Sequence, residues 1–151
     1  MSYRLKMILP VVGMFLLGCV VVAAVSDDSE IKQPLPQSLD NLAAVKLIEI
    51  RDAGGQTVLG GSFTIETKRN RDIEGAATLA PTGVDADAAG KAEIEVSAKR
   101  GGRVEKELEI EVRNLAPGAS FNLFVDGQQV AGFATNPRGA AELELTNEPA
   151  S

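Results

Sequence analysis

Residues 107–145 read ELEIEVRNLAPGASFNLFVDGQQVAGFATNPRGAAELEL, four extended runs separated by strong turn signals. Within them, Phe121–Val125 and Gln128–Ala134 flank the dipeptide Asp126-Gly127. Asp-Gly between apolar runs marks a two-residue hairpin, because a type I′ turn needs positive φ at both central positions. Closing the chain there predicts Val125 opposite Gln128, Leu123 opposite Val130 and Phe121 opposite Gly132. One buried face then carries Phe121, Leu123, Val125 and Val130. Ala116-Pro117-Gly118-Ala119 suits a type II turn, with proline setting φ and glycine taking positive φ. Asn136-Pro137-Arg138-Gly139 turns the chain once more into Ala140–Thr146, where Ala141, Leu143 and Leu145 point inward. The class is all-β.

Upstream, Ala92–Ala98 and Val104–Val112 alternate cleanly, and the loop Lys99–Arg103 (KRGGR) joins them as a hairpin. Pairing Ala98 with Val104 turns Ala92, Ile94, Val96, Leu108, Ile110 and Val112 inward. Val45–Arg51 is a strand rich in branched residues. Asp52–Gly55 turns it into a return strand, Thr57–Thr67, with Phe63 and Ile65 on one face. Gly60-Gly61 marks a bulge or a close backbone approach. Ala76–Ala80 reads as a short edge strand, and Leu39–Ala44 allows one turn of helix. About eight strands, with turns every ten or so residues, predict a single antiparallel β-sandwich over residues 39–147, ending in a frayed tail at 148–151.

The head of the chain is different in kind. Residues 1–26, MSYRLKMILPVVGMFLLGCVVVAAVS, place a short basic start (Arg4, Lys6) before an uncharged, largely apolar stretch from Met7 to Val25. That is the pattern of an export signal or membrane anchor. Three fates are open. Val22-Ala23-Ala24 offers small residues for cleavage after Ala24. Leu16-Leu17-Gly18-Cys19 resembles a bacterial lipobox, which would make Cys19 a lipidated first residue. The uncharged run, 19 residues from Met7 to Val25, also suffices to span a bilayer. All three place the β-domain outside the cytoplasm, whether periplasmic, on the cell surface or secreted. Residues 27–38, acidic and carrying Pro34 and Pro36, read as a flexible linker.

Charge and composition narrow the function. Two of the 15 Lys and Arg precede Ser26 and none of the 21 Asp and Glu does, leaving 13 bases against 21 acids, a net charge of −8. So acidic a domain repels phosphate backbones, and nucleic acid is not an expected partner. The chain has no His or Trp, and its single Tyr (Tyr3) and single Cys (Cys19) lie in the leader. Thiolate and imidazole metal sites, and Cys/His or Ser/His nucleophile systems, are therefore absent from the domain. Flat Trp or Tyr stacking platforms are missing as well. No signature surrounds Ser62, Ser97 or Ser120, and no carboxylate pair of glycosidase type can be read from spacing. Neither catalysis nor a cofactor is expected.

Two stretches carry a resemblance. NLAPGASFNLFVDGQQVAGFATNPRGAAELEL (residues 114–145) resembles a pattern of uncharacterised secreted bacterial all-β domains, in which a Pro-Gly turn precedes a strand, a V-D-G hairpin and a G-x-A-x-L-x-L strand. IEIRDAGGQTVLGGSF (residues 48–63) resembles the strand pair that closes such units, here placed before the unit. The resemblance implies an exported, sandwich-like domain and brings no catalytic residue or ligand with it.

The sharpest constellation is a row of carboxylates. With Ala98 paired to Val104, Glu95 opposes Glu107 and Glu93 opposes Glu109 on the face away from the core. Glu105 and Glu111 extend the row, and Lys91 lies opposite Glu111. Like charges directly across a strand pair are destabilising. A sheet that tolerates them presents either a solvated outer face or a surface for Ca²⁺, Mg²⁺, a small ligand or a basic partner. Diverging strand-mounted glutamates favour the solvated face. Asp85-Ala86-Asp87-Ala88-Ala89-Gly90 has the acids and glycine that open an EF-hand loop, but Ala89 and Val96 stand where further ligands belong, so it reads as a turn. The expectation is a non-enzymatic extracytoplasmic structural or interaction domain, with an envelope protein as partner and the membrane reached through residues 1–26. A cation- or small-ligand-binding module on the acidic face is the alternative.

Overall fold

A computed structural model describes residues 30–148. The leader, Cys19, the start of the linker and residues 149–151 lie outside the described residues. Ten strands are present among the described residues: β1 (Ile31–Pro34), β2 (Leu47–Asp52), β3 (Thr57–Ser62), β4 (Thr64–Thr67), β5 (Ile73–Pro81), β6 (Ala89–Ala98), β7 (Val104–Arg113), β8 (Ser120–Val125), β9 (Gln128–Ala134) and β10 (Ala141–Thr146). They form one hydrogen-bonded path, β1-β10-β7-β6-β5-β3-β2-β8-β9, with β4 pairing beside β5. The all-β class is as expected. Ten strands, nine in one continuous path and β4 beside it, replace the eight or so expected, and the sheet is nearly closed: Gln33 Nε2 of β1 donates to the Gly132 carbonyl of β9, at the other end of the path, at 2.9 Å.

The Asp126-Gly127 turn has the backbone its residues demand, with φ of 49° and 82°. Its register holds only for the first pairs. Val125 faces Gln128 and Phe124 faces Gln129, but an irregularity then shifts the ladder, so that Leu123 pairs with Ala131 and Phe121 with Phe133. The expected partners Val130 and Gly132 are displaced by one residue. The shift turns Ala131 and Phe133 inward, both buried, and Phe133 stacks on Phe121 with ring centroids 6.0 Å apart. Burying an aromatic in place of a glycine is the gain that an extra residue in the strand delivers.

Two other expectations change. Ala76–Ala80 is the middle of the nine-residue β5, which pairs with β3, β4 and β6 and is no edge. Its Gly75 lies in a close contact: a Cβ there would stand 2.4 Å from Ile65 Cδ1 and 3.3 Å from Ile94 Cβ. Within residues 27–38, the expected linker, Ile31–Pro34 instead pair with β10 in parallel, and the Leu35 N–H continues the contact to the Thr146 carbonyl at 2.8 Å. Short 3₁₀ turns at Gln37–Leu39 and Leu42–Ala44 come next, burying Leu39 and Leu42.

The β6–β7 hairpin has the expected register throughout. Its inward residues join Ile48, Ile50, Leu59, Leu79, Leu123, Leu143 and Leu145 in one aliphatic core. The Asp126 carboxylate then fastens the β8–β9 turn to β2, accepting the N–H groups of Lys46 and Leu47 at 3.1 and 2.8 Å. Asp126→Ala removes these charge-assisted bonds and puts alanine at left-handed φ, and is expected to lower the unfolding free energy by about 2–3 kcal/mol in urea denaturation. Asp126→Asn, which keeps an acceptor and tolerates that φ, is expected to lose less.

Candidate functional site: a carboxylate-lined sheet face

The outer face of β4, β5, β6, β7 and β10 gathers the acidic residues, because strict alternation sends every second side chain outward. Glu95 pairs with Glu107 and Glu93 with Glu109, as the hairpin register requires. The neighbouring strands extend both rows. Glu74 lies beside Glu95 and Glu66 beside Glu74, so Glu66, Glu74, Glu95 and Glu107 form an unbroken line across four strands. On the other side, Glu144 lies beside Glu109 and Glu142 beside Glu111. The sequence reading missed Glu66, Glu74, Glu142 and Glu144. Glu142 and Glu144 alternate visibly with Leu143 and Leu145, and placing β10 next to β7 would have found them.

Cations offset this charge at the margins. Lys91 Nζ lies 2.9 Å from Glu111 and 3.8 Å from Glu93. Lys68 Nζ lies 2.9 Å from Glu74 and 3.4 Å from Glu66. Lys32 Nζ reaches Glu144 at 2.6 Å and Glu30 at 3.3 Å. Lys99 pairs with Glu105. Among the described residues, Glu95, Glu107 and Glu109 have no ion pair, and their surroundings show it. Burial, then Glu144, Glu109 and Glu95, push the Glu107 carboxyl above its ordinary range. Burial, then Glu142, Glu93 and Glu111, do the same to Glu109. Glu144 is held low, by its hydrogen bond with Glu30 first and by Lys32 second.

Between the rows lies an open hollow of about 440 Å³. Thr64, Gly75, Ala76 and Ile94 line it together with Glu66, Glu74, Glu93, Glu95, Glu107 and Glu109. Such a lining supplies acceptors and negative charge, which suits ammonium groups, guanidinium groups or hard metal ions. Convergence is greatest elsewhere on the face. One carboxylate oxygen each from Glu109, Glu111 and Glu142 lie within 4.8 Å of one another. That is about twice a Ca²⁺–O distance of ~2.4 Å. Only Glu109 of this trio belongs to the expected set Glu93, Glu95, Glu107 and Glu109.

The other expected features stay apart from this face. Asp85 and Asp87 lie in a turn, with the Ala88 N–H on the Asp85 carbonyl at 3.3 Å. Ser97 is buried, across from Glu105. On the outer face of β2 and β8, the Arg51 guanidinium lies 4.0 Å over the Phe124 ring and pairs with Glu49 at 2.9 Å, so charge there is matched. Among the described residues no helix is long and apolar enough to cross a membrane. The chain matches no protein-family model, no curated protein and no solved structure.

The raised carboxyls fix the sign of one pH effect. A folded-state pKa above the unfolded value means the folded protein binds more protons as the pH falls towards 4.5, the ordinary value for both groups. Glu107 and Glu109 therefore destabilise the protein at pH 7, and this effect fades through that window. Glu107→Gln and Glu109→Gln are each expected to raise stability at pH 7 by about 0.5 kcal/mol, the scale of a like-charge cross-strand pair. In thermal melts across pH 4–7, that advantage should shrink as the pH falls.

Proposed function

We propose that this chain is a non-enzymatic domain presented outside the cytoplasm, held at the membrane or released from it by the fate of its leader, and acting by contact with a cationic partner protein in the envelope. Its sheet halves, β2-β3-β8-β9 and β1-β10-β7-β6-β5-β4, serve in this reading as the two layers of a sandwich. The observation that carries it is the line Glu66, Glu74, Glu95 and Glu107, four adjacent carboxylates on four neighbouring strands. Folding alone favours mixing such charges, and a basic partner relieves the repulsion on binding. The leader pattern and the likeness of residues 114–145 to secreted β-domains support the location. The absence of His, Trp, Tyr and Cys after residue 19 supports a role without catalysis.

Crosslinking in intact cells tests the contact. Reversing Glu93, Glu95, Glu107 and Glu109 to lysine should abolish capture of the partner while circular dichroism stays β-rich; undiminished capture would sink the reading. Intact-mass analysis of membrane and soluble fractions tests the location, and an unprocessed chain free in the cytosol would refute it.

A second reading rests on the converging oxygens of Glu109, Glu111 and Glu142. There the face binds a divalent cation. Calcium at ~1 mM, the strength of extracellular calcium modules, would then raise the melting temperature, and Glu142→Gln would remove the rise. An unchanged melting temperature decides against it.

A further inference from the structure

One end of the described domain is strongly basic in an otherwise acidic chain. The β4–β5 loop and the β6–β7 loop hold Lys68, Arg69, Arg71, Lys99, Arg100 and Arg103. Asp72 joins them, its Oδ1 accepting the Ala98 N–H at 3.3 Å. Each loop divides its cations by type. Lys68 turns back onto Glu66 and Glu74, and Lys99 onto Glu105. The four arginines stay exposed, and no carboxylate among the described residues pairs with them.

The first loop is also fixed in an uncommon conformation. Arg71 has φ of 71°, a region that glycine or asparagine enters at lower cost. The Lys68 N–H on the Asp72 carbonyl (2.7 Å) and the Arg71 N–H on the Lys68 carbonyl (3.0 Å) hold it there. The loop thus presents a guanidinium where its backbone would favour a smaller residue. Planar guanidinium forks pair bidentately with carboxylates, and the same molecule carries carboxylates without cations.

We propose that the arginine end of one molecule docks on the glutamate face of a second copy of this chain. The inference rests on the proposed contact with a cationic partner and names that partner. Because the two surfaces differ, one such contact leaves an arginine end and a glutamate face free, which either pair reciprocally across a two-fold axis or carry the contact on to further copies.

Sedimentation of the full chain in detergent tests this. At ~0.01 M salt the weight-average mass should be at least about double that of the monomer, falling to the monomer's at ~1 M, where the screening length drops from ~30 Å to ~3 Å. Arg69→Glu/Arg71→Glu/Arg100→Glu/Arg103→Glu should be monomeric at both salts, and so should the fourfold Glu93, Glu95, Glu107, Glu109→Lys variant. Mixing the two should restore association. If the first variant fails to fold, Arg100→Glu/Arg103→Glu, confined to a glycine-rich loop, replaces it. Association that ignores salt, or survives either set of substitutions, overturns the proposal. A monomeric chain whose glutamate face still captures a cationic protein in cells would refute self-docking and leave the contact reading standing.

Discussion

The fold turns on the place where the chain passes β5 at Gly61. There β3 gives way to β4, and the two strands share one neighbour: Leu59 and Gly60 pair with Pro81 and Ala80, while Thr64 to Thr67 pair with Ala76 to Ile73. Between these ladders a Cβ on Gly61 would stand 2.3 Å from the Thr78 carbonyl oxygen. Only a residue without a side chain allows the backbones so close. Phe63 steps out of the pairing, its N–H held by the Lys46 carbonyl at 2.9 Å. β5 therefore serves both halves of the sheet, and the aliphatic core can close around Leu59, Leu79, Ile94 and Leu108.

That continuity also explains how the carboxylate face is assembled. Five strands, β4, β5, β6, β7 and β10, are brought into register, each sending glutamates outward for the same local reason. None of these local choices is costly by itself. The juxtaposition is, and it concentrates at Glu109, which has acids across both neighbouring ladders, and at Glu107, which faces Glu95 on one side and Thr146 on the other. The lysines lie at its margins, where Lys32, Lys68 and Lys91 each touch the outermost glutamates. The face is thus electrostatically graded, offset at its borders and uncompensated within.

Local chemistry made much of this legible beforehand. Asp126-Gly127 declared its turn, and the alternation of β6 and β7 set a register that holds along every pair, including Glu95 with Glu107 and Glu93 with Glu109. What escaped were effects decided by distant partners. The irregularity in β9 leaves no mark in the sequence, since Val130 and Ala131 are both apolar and either could face inward, and the burial of Phe133 against Phe121 goes with the shift. β5 was underestimated because Gly75 lies close against Ile65 and Ile94 and Ala77 is buried, which composition alone reads as weakness. β1 was hidden by Pro34 and Pro36, whose extended backbone fits a linker and a strand equally well. The glutamates of β4, β5 and β10 were individually visible, but their adjacency belongs to the topology.

Among the described residues the β1–β10 pairing is the one parallel ladder, and β1 is the first strand in chain order. Tension arriving at Glu30 along the strand direction would load the β1–β10 rungs in shear, sharing the force among them. A perpendicular pull would instead peel them one after another. Gln33, which ties β1 across to Gly132, lies on the same load path, so force applied ahead of the domain would be felt at the seam where its sheet nearly meets itself.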